Sequence, residues 1–448
     1  MSYTAVEEIR TYHSANPVPK WLQMFRGRAA ERLTQIEWPT SRDEEWRRTS
    51  LRTIDFSAYS IASPADLPDG SSVESSTGAG ASPSERLPAV EESAGVVRVA
   101  NGVVTSATVS PAAEAQGVLF GSASRMLKNN AVVEDEVTRL LAGYLDGSDN
   151  RLQIWHASLL SDAVLLYVPA GVVVSQPFVV DAVGGGDGVV ASTAVVVLVG
   201  ESASVSLVRR LSSGSEGEVL YLDGTIARVA DNGALGVCEI QDTNDESLLF
   251  GHGAAVVSRD ARLDRTEVHA GGDFVKARFS VELTGPGADV NVNGLYCATE
   301  SQHIDLRTVQ NHSAPRSTSR AFYRGAVREE AHSVYQGLIR VAPEAPGTDA
   351  YLTNNNLVLS ESARADSIPS LNIAIDDVKC SHGSTTGKLD ENQLFYLKSR
   401  GWSDREARET LIEAFFEEVI ALTPESVHEL IRGLVASRMI DVDGDERG

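Results

Sequence analysis

Cysteine is scarce: Cys238, Cys297 and Cys380 are the only three in 448 residues, widely separated and with no Cys-x-x-Cys pair. That excludes a disulfide framework and a structural zinc ribbon. Basic charge is in deficit, 39 Lys and Arg against 62 Asp and Glu, which leaves a formal net charge of -23. Such a surface is repelled by a nucleic-acid backbone, so nucleic acid is not an expected partner. Lysine occurs only at Lys20, Lys128, Lys276, Lys379, Lys388 and Lys398. No apolar run approaches the roughly 18 residues of a membrane span, so no membrane partner is expected. The start, MSYTAVEEIRTYHSANPVPK, lacks a basic segment followed by an apolar one. The expectation is a cytoplasmic chain.

What is present is a composition that folds: 42% apolar residues in a chain long enough for two or three domains. In WLQMFRGRAAERLTQI the residues Leu22, Phe25, Ala29, Leu33 and Ile36 recur three or four apart, the stripe of an amphipathic helix that Pro39 ends. Residues 1–61 therefore read as an N-terminal helical region. Residues 62–95, rich in Ser, Pro, Gly and acid, read as a flexible linker. Residues 96–158 read as the mixed remainder of the N-terminal domain, with a second helix over Val133 to Tyr144.

From 159 to 387 the period changes. Short Val-rich strands alternate with Gly, Asp and Asn. Val275, Ala277, Phe279, Val281 and Leu283 alternate with Lys276, Arg278, Ser280, Glu282 and Thr284, which predicts one buried and one wet face. Periodicity leaves a sandwich, a large barrel and a β-solenoid all open. Residues 388–440 read as a C-terminal helical domain. Asp390 caps a first helix with Gln393 at its third position, and Gly401 stands at a left-handed stop. Ser403 and Glu406 form a capping box ahead of a stripe of Ala407, Leu411, Ala414, Phe415, Val419 and Leu422. Thr423 and Pro424 start a last helix ending near Arg438, and 441–448 is an acidic tail.

The chemistry-bearing residues concentrate in DDVKCSHGSTTGKLDENQLFYLKSRG, from Asp376 to Gly401. Gly383 to Lys388 fails as a phosphate loop, because three residues rather than four separate its glycines and Leu389 follows the lysine. Gly184 to Gly188 leads into a strand and fails as a dinucleotide fingerprint. Cys380 and His382 share a face if the segment is extended, with α-carbons roughly 6.6 Å apart. That is long for a thiol–imidazole nucleophile. Thiol and imidazole suit a soft metal, yet two donors leave a four-coordinate site incomplete. On residues alone, a buried cysteine and a hydrogen-bonded strand-end histidine explain the pair as well. In HIDLRTVQNHSAPRSTSR, His303 and Asp305 can pair on one face or belong to a polar interfacial stack. Cys238 and Cys297 read as core. Asp376 and Asp377 are adjacent and face opposite ways in a strand, which disfavours a carboxylate pair for a solenoid enzyme acting on acidic polysaccharide.

The stretch NNNLVLSESARADSIPSLNIAIDDVKCSHGSTTGKLDENQLFYLKSRGWSDREARETLIEAFFEEVI resembles the SufB/SufD family of iron–sulfur cluster assembly proteins. So do PVPKWLQMFRGRAAERL with WPTSRDEEWRRTSL, LLYVPAGVVVSQPFVV, and HIDLRTVQNHSAPRSTSRAFYRGAV. CSHG preceded by Leu359 and Ser360 is similar to the SufD branch. The resemblance implies a mainly β protein, a right-handed parallel β-helix core with helical domains on either side. It implies a non-enzymatic scaffold that pairs with a SufB-like paralogue and binds a SufC-like ABC-type ATPase, with a homodimeric scaffold as the alternative. Cys380 and His382 would lie where a transient iron–sulfur cluster or iron is shared with the partner chain, with no cofactor stably bound. The C-terminal helices would dock the ATPase through Phe415, Phe416, Glu417 and Glu418.

Overall fold

The computed structural model describes residues 6–61, 87–214 and 217–439. Residues 62–86 of the expected 62–95 linker and the expected acidic tail over 441–448 fall outside the described residues. Successive strands from Val164–Val168 to Val378–Gly387 go alternately to two sheets, each ten-stranded among the described residues. Within each sheet the strands of the coil pair in parallel, making a solenoid of about 8 turns. Phe274, His303 and His332 are consecutive partners, each 29 residues beyond the last. This settles the choice among sandwich, barrel and solenoid.

The valine-rich strands follow from the solenoid being covered on both sides. In Val189–Val199 the residues Val195, Val197 and Val199 point into the lumen, while Val196 and Leu198 lie against N-terminal residues such as Leu22, Phe25 and Trp155. A strand with both faces buried loses its alternation and reads as a continuous apolar run. The outer face of the second sheet is covered by the C-terminal helices instead. Ile412, Phe416, Val419 and Ile420 pack with Leu430, Ile431 and Val435 on Val208, Ile240, Val268, Leu295, Cys238 and Cys297. In the lumen, large side chains fit where the next coil has none: Gly294 leaves space for Tyr323 and Gly325 for Tyr296.

Several expectations change. The second sheet reaches ahead of residue 159, because Gly95–Ala100 pairs in parallel with Phe178–Gly184. Leu87, read as linker, is fully buried beside the C-terminal helices. The alternate face over Lys276 to Thr284 is not simply wet. Lys276 is buried, because the 3-10 turn Glu44–Trp46 of the N-terminal region closes over it. In Asp404–Ile420 the buried side is Ala407, Ile412, Phe416, Val419 and Ile420, rotated from the stripe expected through Leu411, Ala414, Phe415 and Leu422. The caps agree with the sequence: Asp390 accepts from the Asn392 and Gln393 amides, and Ser403 and Glu406 form the capping box. No helix is long and apolar enough to cross a membrane among the described residues.

Candidate functional site

Among the described residues nothing covers the end of the coil. Arg364–Ile373 is hydrogen-bonded to His332–Val341 on one side, and Val378–Gly387 to Thr348–Val358 on one side; among the described residues nothing pairs with their other edges. Cys380 stands opposite Ala350 and His382 opposite Leu352, both of which point into the apolar lumen. Side chains alternate along a strand, so Cys380 and His382 take the inward positions of the last coil. In the other sheet, Leu371 and Ile373 hold the corresponding positions opposite Ile339 and Val341. All four therefore rim the open mouth of the lumen.

His382 is exposed and Cys380 half-buried. Burial raises the Cys380 thiol pKa above its ordinary value and Asp349 adds to this, opposed by a backbone hydrogen bond at Ala350. Strand geometry runs through Val378–Gly387, so the two α-carbons keep the wide spacing the sequence suggested. Among the described residues no group of three or more His, Cys, Asp or Glu could hold a metal ion. Cys380 and His382 are two donors at an open edge. Any tetrahedral centre built on them draws its other ligands from outside this set.

Of the four residues expected to dock a partner, Phe416 is shut away from solvent, Phe415 and Glu417 are half-buried and Glu418 is exposed. Phe416 is fully buried between the helices and the second sheet, which corrects its expected place at a contact surface. Phe415 is half-buried, edge-on to Phe416 with ring centroids 5.1 Å apart and with the Arg324 guanidinium 4.8 Å from its centroid. Arg324 also pairs with Glu418 at 2.6 Å, and Arg432 with Glu417 at 2.6 Å. The large apolar side chains that the C-terminal domain exposes are Phe395 at 74%, Tyr396 at 56%, Leu422 at 51% and Trp402 at 42%. The sequence held a signal for these: Glu391–Ser399 carries more large apolar residues than Leu394, the only one it buries, can account for.

His303 and Asp305 do not pair directly. Thr49 stands between them, donating to Asp305 and lying 3.1 Å from His303 Nε2. Asp305 is bound to Lys276 Nζ at 2.7 Å and accepts from Gln336 Nε2 at 3.2 Å. The Lys276 ammonium lies 5.1 Å from the Trp46 ring centroid and donates to the Glu45 carbonyl. This run is thus the seam that fastens the N-terminal region to the first sheet. Burial drives the His303 pKa down to about 4. Cys238 and Cys297 are core, as read; burial pushes the Cys238 thiol up to about 12 and raises Cys297 further. His156 is buried, with Nε2 3.0 Å from the Thr193 carbonyl.

Comparison with known proteins adds the following. A family model described as SUF system FeS cluster assembly, SufBD core domain, matches residues 182–415, just over half of the chain. An iron-sulfur cluster assembly SufBD family protein of Mycobacterium leprae is 38% identical over 213 residues, 46% of this chain and 54% of the relative. The iron-sulfur cluster assembly protein SufD of Escherichia coli is 33% identical over 212 residues, 47% of this chain and 50% of its own. SufB of Bacillus subtilis is 24% identical over 307 residues, 68% of this chain and 65% of its own. The match to the first two thus spans about half of their length.

Proposed function

We propose a function for this chain from one premise: it belongs to the SufB/SufD family of iron–sulfur cluster assembly proteins. It acts in the cytoplasm as a non-catalytic scaffold subunit of the SufD type. It pairs with a SufB-like paralogue through the open end of its solenoid and carries a SufC-like ABC-type ATPase on its C-terminal helices.

The observation that carries this reading is the uncovered last coil. Two parallel edges whose outer amides and carbonyls have no strand partner among the described residues are a template for another chain. Leu371, Ile373 and Tyr351, each between 37% and 41% exposed, add apolar surface beside them. A paralogue ending in the same way can continue both sheets. Cys380 and His382 would then face the junction, and a nascent cluster, the cargo rather than a resident cofactor, would take its remaining ligands from the partner. The same edges are offered by a second copy of this chain, so a homodimer is the alternative.

The ATPase contact is better served by Phe395, Tyr396 and Trp402 than by the buried Phe416. Co-expression with a SufB-like paralogue and the ATPase, followed by native mass spectrometry, tests the assembly. His382→Ala should leave the assembled mass unchanged and lower cluster loading on the order of tenfold or more. Wild-type loading in that variant would remove His382 from the site, and recovery of this chain alone or as a homodimer would overturn the pairing.

A further inference from the structure

The two edges of the last coil that have no strand partner among the described residues are not equivalent. In a parallel sheet the N–H and C=O of one residue point to the same neighbour, and those of the next residue to the opposite side. Arg364 donates its amide to the Ala331 carbonyl at 2.9 Å, and Ala374 donates to that of Val341 at 3.0 Å. Even-numbered residues of Arg364–Ile373 therefore face His332–Val341, while Ala365, Ser367, Pro369, Leu371 and Ile373 turn their backbone to the open side. Pro369 stands in mid-strand on that edge with no N–H, and its ring occupies the place of the missing donor. Proline is tolerated there because the ladder behind it loses no bond.

The other edge is unbroken. Asp349 donates to the Ser317 carbonyl at 3.1 Å and Leu359 to that of Val327 at 2.8 Å, so the odd-numbered residues of Thr348–Val358 face Thr318–Val327. The even-numbered ones face the last strand, with Ala350 opposite Cys380 and Leu352 opposite His382. A residue that faces its neighbour bonds to the two that flank its opposite number, so Lys379, Ser381, Gly383 and Thr385 bond inward. Cys380, His382, Ser384 and Thr386 are left with N–H and C=O turned outward, and none of them is proline.

We propose that an incoming strand bonds along the whole outer edge of Val378–Gly387, through the backbones of Cys380, His382, Ser384 and Thr386, and that on the first sheet Pro369 stops any strand from running through. This rests on the reading that a paralogue joins the open end, and adds which edge carries the join. The strand that is fixed by pairing is the one that bears the thiol and the imidazole, while the first sheet contributes apolar contact from Leu371 and Ile373, 38% and 37% exposed.

The test is amide exchange resolved to single residues by electron-transfer fragmentation, on the full chain alone and in complex with the SufB-like paralogue. In the complex the amides of Cys380, His382, Ser384 and Thr386 should gain about 100-fold or more in protection. Ser367 and Leu371, on either side of Pro369, should not gain it together; in Pro369→Thr, which restores the donor, they should. Ser384→Pro removes an outward N–H alone. Its thermal midpoint should stay within about 2 °C of the wild type, while Kd for the paralogue rises at least about tenfold. Joint protection of Ser367 and Leu371 in the wild-type complex, or its absence in Pro369→Thr, overturns the role of Pro369. Unprotected amides over Cys380–Thr386 in a complex whose native mass is correct, or unchanged affinity in Ser384→Pro, overturn the edge assignment alone. If native mass spectrometry finds no complex, the premise falls and the inference with it.

Discussion

Lys276 and Asp305 lie 2.7 Å apart and almost wholly out of water beneath the Glu44–Trp46 turn, so neither can be removed alone without leaving a buried charge unanswered. Asp305→Ala is expected to lower stability by about 3–5 kcal/mol, measured as the midpoint of chemical denaturation. Lys276→Met combined with Asp305→Leu should cost much less, because an apolar pair of similar volume escapes the desolvation penalty. The cysteines give a second prediction at this scale. Thiolate is the reactive form, and burial raises the Cys380 thiol pKa, so at neutral pH its alkylation by iodoacetamide should be slower than that of a free thiol. The sign of the pH dependence follows: the rate climbs as the pH rises and approaches the free-thiol rate only above the ordinary thiol range. Cys238 and Cys297, buried under the C-terminal helices, should remain unlabelled in the native chain.

At the scale of elements, the Asp404–Ile420 helix is held to the solenoid by Phe416 below and by Arg324 at its flank. Phe416→Ala should therefore destabilise the chain by about 3–5 kcal/mol through the cavity it leaves. Phe395→Ala should change stability by less than about 0.5 kcal/mol while weakening any ATPase contact, and parallel thermal melts and binding titrations separate the two. The helix ends were legible in the sequence because caps are local: Asp390, Gly401, Ser403 and Glu406 need only their near neighbours. The buried side of the helix was less so, since Phe415 and Phe416 fit adjacent stripes and only the second sheet selects Phe416. Strand faces were ambiguous for a related reason. Lys276 reads as solvated until a turn 231 residues earlier in the chain covers it. The inward placement of Arg209, Glu239, Arg265 and Glu267, whose ion pairs lie within the solenoid, had no sequence signal either. Cys380 and His382 were legible as a pair two apart, while their place at an uncovered mouth depends on where the coil stops.

For the whole molecule, the arrangement is that of a stack in which each coil rests on its neighbours. Stability in such a stack is close to a sum of nearest-neighbour terms, and an interior coil has two neighbours where the last has one. The strand bearing Cys380 and His382 therefore has half the support of His303–His312 or Thr318–Val327, and its Gly383 and Gly387 contribute little packing. Native-state amide exchange measures this directly. Protection should fall along the second sheet from Asp289–Ala298 to Val378–Gly387, and binding of a paralogue at the open end should restore it. If protection in the last strand of the free chain equals that of the interior, the coil is not open in solution. The consequence reaches the chemistry. A donor pair on a strand with a single neighbour would sample many geometries and hold an ion loosely, so a partner that completes the stack would also fix the thiol and the imidazole in position. Cluster assembly on such a protein would be gated by order at a sheet edge, with strand pairing acting as the latch.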